Sequence, residues 1–161
     1  MPDRSSPETV ATRRATVQDT AAIALLFDAY RQFYAQAADL PLATRFIHDR
    51  LHHNESVVIV AEGAGGEVLG FCQLYPSFCS VAAAPICVLY DLFVRPEGRR
   101  TGAGRALMRA AKAHAAAHGF TRLDLTTAKT NLSAQSLYKS LGWVRDEVFH
   151  AYSKALPDEA R

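Results

Sequence analysis

Residues 99–107 read RRTGAGRAL and run directly into LMRAAKAHAAAHG at 107–119. Three arginines surround a Thr-Gly-Ala-Gly core where an alanine-rich helix is about to begin. Glycine in a helix costs up to about 1 kcal/mol relative to alanine, so bare backbone at this point signals a close approach by something else. The stretch follows ICVLYDLFV, residues 86–94, a nearly all-apolar, β-rich run that reads as a central strand covered on both faces and ended by Pro96. A glycine-rich turn between such a strand and a helix is an anion site, because the first helical N–H groups lack partners and the helix dipole adds positive charge. Gly102 and Gly104 admit a phosphate to the backbone, and Arg99, Arg100 and Arg105 supply charge. A helix-starting turn with solvated arginines fits the same residues. Other phosphate loops do not: no GxxxxGK[ST] occurs, and Leu107 stands where a dinucleotide fingerprint needs its third glycine.

Outward from this stretch the chain alternates strand-like and helix-like segments without a repeat. Val10–Ala15 reads as a short strand, and TVQD at 16–19 has the form of a capped helix start. Ile23, Leu26, Phe27, Tyr30, Phe33 and Tyr34 then recur at helical spacing to about residue 36. Pro41 opens a second helix with Phe46, Ile47 and Leu51 on one stripe. SVVIVAEG at 56–63 and EVLGFCQLYPSF at 67–78 form a hairpin. After the alanine-rich helix, stopped by Gly119, TRLDLTT at 121–127 alternates as a strand. Ser133–Leu141 is a short helix closed by Gly142, and WVRDEVFHAYSKAL at 143–156 supplies one last strand or a bent pair. The order is mixed α/β on one sheet.

At 161 residues with 49% hydrophobic content, the chain suffices for one domain with its own core, expected over residues 10–156. Residues 1–9 and 157–161 are expected to be flexible. A net charge of +2 argues against a bulk nucleic-acid binder. There is no signal-peptide pattern and no 18-residue apolar span, so no membrane partner is expected. Cys72, Cys79 and Cys87 make no CxxC pair and read as small apolar core residues of a cytoplasmic protein. His48, His52 and His53, and His114 with His118, have i,i+4 spacings, but no third ligand motif accompanies them, so no metal is expected.

A second stretch, NLSAQSLYKSLGWV at 131–144, combines with YDLFVRPEGRRTGAGRALM at 90–108. Together they resemble the GNAT superfamily of acyl-CoA-dependent N-acetyltransferases. Its pyrophosphate loop, Arg/Gln-x-x-Gly-x-Gly/Ala, is met by Arg99, Gly102 and Gly104. Its second motif, Asn-x-x-Ala-x-x-x-Tyr followed by Gly and an aromatic, is met by Asn131, Ala134, Tyr138, Gly142 and Trp143. TRRATVQDTAAIALLFDAY at 12–30 is similar to the family's opening strand and helix, so the resemblance covers roughly residues 10–156. It implies a single mixed sheet of about seven strands flanked by about four helices, splayed between the fourth and fifth strands. The pattern is closest to diamine acetyltransferases and to yeast-type histone and amino-acid acetyltransferases. It departs from the diamine enzymes in having Tyr90-Asp91 where they carry Glu-Asp, which leaves their proposed proton acceptor without a counterpart.

The resemblance implies acetyl-CoA as cosubstrate, an amine acceptor, and by analogy a homodimer. It places Arg99, Arg100, Thr101, Gly102, Ala103, Gly104, Arg105, Asn131, Ala134 and Tyr138 along the cofactor, and it gives the backbone N–H of Phe93 or Val94 to the oxyanion. Tyr138 is the leaving-group acid, because a phenol stays protonated at neutral pH and donates to a departing thiolate. An alkyl ammonium near pKa 10.4 is neutral in only about one molecule in a thousand at pH 7, so a proton acceptor is needed. Asp91 is the candidate, as base, as counter-ion to the ammonium, or as a strand-end carboxylate paired with arginine. Tyr30, Arg31, Tyr34 and Tyr75 are candidate acceptor contacts, although Phe27, Tyr30 and Tyr34 also read as core. The favoured reading is acetyl transfer to a small-molecule primary amine. A protein lysine or N-terminal acetyltransferase and a non-catalytic acyl-CoA-binding module are the alternatives.

Overall fold

The computed structural model describes residues 10–157, so the segment 1–9 and all but Pro157 of 157–161, both expected to be flexible, lie outside the described residues. The chain divides into two compact units, residues 1–126 and 127–161. The first holds one five-stranded sheet in the order β1-β2-β3-β4-β5. Its strands are β1 (Ala11–Arg14), β2 (Val57–Glu62), β3 (Val68–Cys79), β4 (Ala84–Val94) and β5 (Leu123–Asp124). Three of the helices, α1 (Thr20–Phe33), α2 (Leu40–His52) and α3 (Ala103–Ala117), belong to the same unit. Neighbouring strands are antiparallel except β4 and β5, which run parallel.

Helix starts follow the local chemistry. Asp19 accepts from the Thr16 N–H at 2.8 Å, closing the short 3-10 turn that leads into α1. Asp39 accepts from the Leu42 N–H at 3.0 Å and caps α2, where Pro41 fills a first-turn position that needs no donor. The two faces of the sheet separate by strand alternation. On one, Val58, Val60, Phe71 and Phe93 pack with Ile23, Leu26 and Phe27 of α1 and with Ala43, Ile47 and Leu51 of α2. On the other, Cys72 pairs in register with Ile59 and lies against α3, its Sγ 4.0 Å from the Leu107 carbonyl.

β4 is not a regular strand. Gln73 pairs with Asp91 and Leu74 with Leu89, so Tyr90 is an extra residue and the ladder bulges. Residues two apart in a regular strand share a face, but here the bulge changes the phase. Leu89 stays with Leu74, while Asp91 joins Gln73, Phe71 and Phe93 on the face of α1. Leu89 and Asp91 are both buried, and Tyr90 is 65% exposed. The reading of a strand covered on both faces therefore fails at Tyr90, where the extra residue faces solvent.

Four other expectations are corrected. About seven strands were expected, and five are present among the described residues, β5 being only two residues long. No strand forms over 143–156: Val148, Phe149 and Tyr152 are exposed, and the segment joins no ladder to satisfy its backbone. Cys72 and Cys87 are buried, but Cys79 is not a core residue. It ends β3 on the part of the β3–β4 hairpin that extends past the last β2 pairing at Leu74. There backbone N–H groups, chiefly that of Ala82, and the Arg122 guanidinium hold its thiol below the usual range. Tyr34 is exposed too, because α1 ends at Phe33 and Tyr34 is its C-terminal cap.

The second unit contains α4 (Leu132–Ser140). Asn131 caps it, accepting from the Ala134 N–H at 3.2 Å. Gly142 takes the left-handed conformation, φ +83, and the Trp143 N–H closes back on the Tyr138 carbonyl at 3.0 Å. This is a Schellman cap. It explains the Gly-aromatic pair physically, since it also brings the Trp143 ring within 6.2 Å of the Tyr138 ring.

Candidate active site

The carboxylate of Asp91 is the centre of a buried polar corner. Asp91 is 4% exposed, and its Oδ2 accepts from Gln73 Nε2 at 2.6 Å. Gln73 is fully buried, and its Oε1 accepts from Ser56 Oγ at 2.7 Å. Tyr30 reaches the same place from α1, its hydroxyl donating to the Tyr90 carbonyl at 3.4 Å and interacting with Asp91. The Tyr30 ring stands edge-on to Phe71 and Phe93, at 6.3 and 6.2 Å. Tyr75, on the same face of β3, meets the Tyr90 ring edge-on at 5.7 Å.

Burial pushes the Asp91 carboxyl above the ordinary range, against the opposing effect of hydrogen bonds from Gln73 and then Tyr30. Burial, reinforced by the Asp91 charge, likewise raises the Tyr30 and Tyr75 phenols. No ion pair involves Asp91 among the described residues, so the reading of a strand-end carboxylate paired with arginine does not hold. Arg31 turns instead to Asp28, 3.4 Å away, whose carboxylate also accepts from the Asp39 N–H at 2.9 Å and so ties α1 to the start of α2.

One edge of β4 is open near this corner. The parallel pairing with β5 stops at Val88–Asp124, while β4 continues to Val94. That is the splay expected between the fourth and fifth strands. Arg95 donates to the Leu69 carbonyl at 2.9 Å, so its N–H points toward β3. Alternation along an antiparallel ladder then turns the Phe93 N–H toward β3 as well, and the Leu92 and Val94 N–H groups toward the open edge.

Beyond β4, a turn at Pro96–Gly98 leads to the glycine-rich loop. Arg99 Nε donates to the Val94 carbonyl at 3.3 Å, and Thr101 Oγ1 donates to the Gly98 carbonyl at 2.7 Å. The loop is strained. Arg100 takes φ +63, and Gly102, the N-terminal cap of α3, takes φ +89. A Cβ on Gly102 would meet nothing within 4 Å, so glycine is required here by backbone conformation and the space over it is open. As cap, Gly102 offers no side-chain oxygen to the first N–H groups of α3, and that of Ala103 turns to Thr101 Oγ1, at 3.3 Å. Gly104 and Arg105 follow in the first turn. Arg95 Nε is buried without a hydrogen-bond partner among the described residues, an orphan donor at the loop's entry.

The first unit thus gathers Tyr30, Tyr75 and Asp91 in one corner, with Phe93 and Val94 at the end of the same strand as Asp91 and Arg99–Arg105 leading into α3. Asn131, Ala134 and Tyr138 lie together on α4 in the second unit. Sequence reading missed Gln73 and Ser56, which sit unmarked in apolar runs, and the Leu92 N–H, which only strand parity reveals. A depression of about 360 Å³, lined by Arg14, Thr16, Gln18, Leu51 and Asn54 among others, includes none of the expected site residues. The imidazoles of His48 and His52 stack at 5.5 Å and those of His114 and His118 at 4.0 Å. No group of three or more His, Cys, Asp or Glu able to hold a metal occurs among the described residues. No helix among them is long and apolar enough to cross a membrane.

Comparison with known proteins agrees with this geometry. The acetyltransferase (GNAT) family matches residues 22–143. The uncharacterized N-acetyltransferase YhfO of Bacillus subtilis (strain 168) is 46% identical over 145 residues, covering 90% of this chain and 97% of its own. The aminoglycoside N(6')-acetyltransferase type 1 of Klebsiella aerogenes is 30% identical over 105 residues, 63% of this chain and 68% of its own. The crystal structure of a probable acetyltransferase superposes with a TM-score of 0.85 at 33% identity, over 92% of this chain and 99% of that one. The chain belongs to the GNAT family and is an N-acetyltransferase, which sets aside the non-catalytic binding module.

Proposed function

From that membership, we propose that the enzyme transfers an acetyl group from acetyl-CoA to a primary amine on a small molecule, and that residues 10–156 act as one catalytic domain. The observation that carries the acceptor class is the Asp91 corner. A single carboxylate, 4% exposed and bordered by the half-buried Tyr30 and Tyr75, suits a slender alkyl ammonium better than a broad peptide. The similarity to an aminoglycoside N(6')-acetyltransferase supports the same class.

The chain's residues then divide the work. The diphosphate of coenzyme A lies against the α3 amides around Gly102 and Gly104, with Arg99, Arg100 and Arg105 as counter-charges and Thr101 and Ala103 shaping the turn. The pantetheine arm pairs with the open edge of β4 and with Asn131 beside Ala134. The ammonium docks at Asp91, which accepts its proton, and the freed amine attacks the thioester carbonyl. The resulting oxyanion receives the Val94 N–H, which points to the open edge as the Phe93 N–H does not. Collapse of the tetrahedral intermediate breaks the C–S bond: the Tyr138 hydroxyl gives its proton to the thiolate and is reprotonated by the second proton that the attacking nitrogen sheds as the amide forms. Tyr34 and Arg31 border the acceptor only at its outer side. A cytoplasmic homodimer is the working form.

The test is free-thiol release from acetyl-CoA across amines, amino acids, polyamines, aminoglycosides and histone peptides. Turnover is expected with small amines, and preferential turnover of peptides would overturn the acceptor class. Tyr138→Phe is expected to lower kcat by about 10²-fold or more with cofactor affinity kept. An unaltered kcat removes Tyr138 from the mechanism.

A further inference from the structure

Between Ser56 and Asp91 the structure holds a polar chain of which the mechanism above uses only Asp91. Ser56, Gln73 and Asp91 are 3%, 0% and 4% exposed. Their neighbours on that face of the sheet, Val58, Phe71 and Phe93, are apolar. Burying polar groups in such surroundings is unfavourable unless every one is hydrogen-bonded. An apolar trio would fill the space without that requirement, so stability alone gives no reason for the chain.

The chain has a direction. An ionised carboxylate only accepts, so Gln73 must turn its amide nitrogen toward Asp91. The Gln73 carbonyl is then left needing a donor, and the Ser56 hydroxyl provides it. Register and bulge together create the contact, because Gln73 and Asp91 are direct cross-strand partners only after Tyr90 has shifted the phase of β4. We propose that Gln73, pinned by Ser56, is a positioning residue for acetyl transfer: it holds the Asp91 carboxylate ionised and fixes the oxygen that faces the incoming ammonium.

The inference rests on the reading of Asp91 as proton acceptor. Titratable groups facing Asp91 are Tyr30 on α1, Tyr75 on β3 and Tyr90 on β4, while Cys72, on the opposite face of β3, feels its charge through the sheet. Burial pushes the Cys72 thiol up to about 12 and raises the Tyr30 and Tyr75 phenols, so these three stay neutral where the enzyme works. Arg50 on α2 and Glu55 after it act on Tyr75 and are paired with each other. Among these groups, the Gln73 amide and the Tyr30 hydroxyl are what oppose the cost of burying the charge.

The experiment compares Gln73→Leu and Ser56→Ala with wild type by two readouts: the acid limb of kcat/KM against pH, and the ¹³C titration of the Asp91 carboxyl by NMR. Gln73→Leu is expected to move both upward by about one pH unit, tenfold in proton affinity, with KM for acetyl-CoA unchanged. Ser56→Ala is expected to move both the same way by less, and it carries the test if Gln73→Leu does not fold. A limb and a carboxyl titration that stay in place in the folded variants overturn the proposal. Asp91→Asn separates the two failures. A limb that survives it sinks Asp91 as proton acceptor, and the role of Gln73 with it. A limb that vanishes with Asp91→Asn but does not move with Gln73→Leu or Ser56→Ala sinks the role of Gln73 alone.

Discussion

The Asp91 corner and the start of α3 are neighbours in sequence, yet opposite principles build them. At Asp91 the working group is a side chain, buried and held by residues from α1, β3 and the segment before β2. At Gly102 the working group is backbone, nearly naked, with nothing within 4 Å of where a Cβ would stand. The first site raises a carboxyl's proton affinity by excluding water. The second suits an anion by presenting the start of a helix with the space over Gly102 clear. The proposed reaction, which removes a proton from one substrate while anchoring a diphosphate on another, would draw on both.

The largest expected effect breaks the packed half. Asp91→Asn is expected to lower kcat with the preferred amine by about 10²- to 10³-fold, with partial recovery at high pH where free amine accumulates. A change confined to acceptor KM would make the carboxylate a counter-ion only. In the wild type, kcat/KM should fall as pH drops through the raised Asp91 pKa. Stability runs the other way. A carboxyl with a raised folded pKa contributes most below the ordinary carboxylate range and loses that contribution as pH rises through its folded value. Thermal melts of Asp91→Asn at neutral pH should therefore show a higher Tm than wild type, and a lower one would contradict the cost of the buried charge.

A smaller effect tests the bare half. Gly102→Asn keeps a residue that tolerates the left-handed conformation but puts a side chain over the loop. About a tenfold rise in KM for acetyl-CoA is expected, roughly 1.4 kcal/mol, with Tm nearly held. Gly102→Ala should add a stability loss of about 1–2 kcal/mol from its φ. If both variants bind acetyl-CoA as wild type does, close backbone approach is not how this loop works.

The smallest effect uses a carboxylate of the opposite kind. Asp19, on the surface beside Arg13, is held down to about 2, first by the Arg13 guanidinium. Its contribution is present above the ordinary carboxylate range and is lost as pH falls toward 2. Arg13 is 42% exposed, so solvent screening keeps the pair under about 1 kcal/mol. Acid unfolding of Asp19→Asn should track wild type closely, losing only that margin near neutral pH, and a large loss there would show that the surface pair matters more than its exposure allows.

The loop at Arg99–Gly104 and the motif from Asn131 to Trp143 were legible because their chemistry is local. A left-handed glycine, a helix cap and a Schellman turn are each fixed by residues within a few positions of one another. The helix starts at Thr16 and near Pro41 were legible for the same reason, although the Asp39 cap of α2 was not singled out. The final strands were not, since apolar residues such as Val148 and Tyr152 alternate well enough but a strand exists only where another strand pairs with it.

By itself the sequence determined the family, the glycine turn before α3 and the helices, because period, capping and glycine conformation act over short range. Only the tertiary structure decided where the Asp91 side chain lies. One extra residue at Tyr90 moved it to the face where Gln73, Ser56 and Tyr30 wait, and a change of strand phase leaves no local mark in the order of residues.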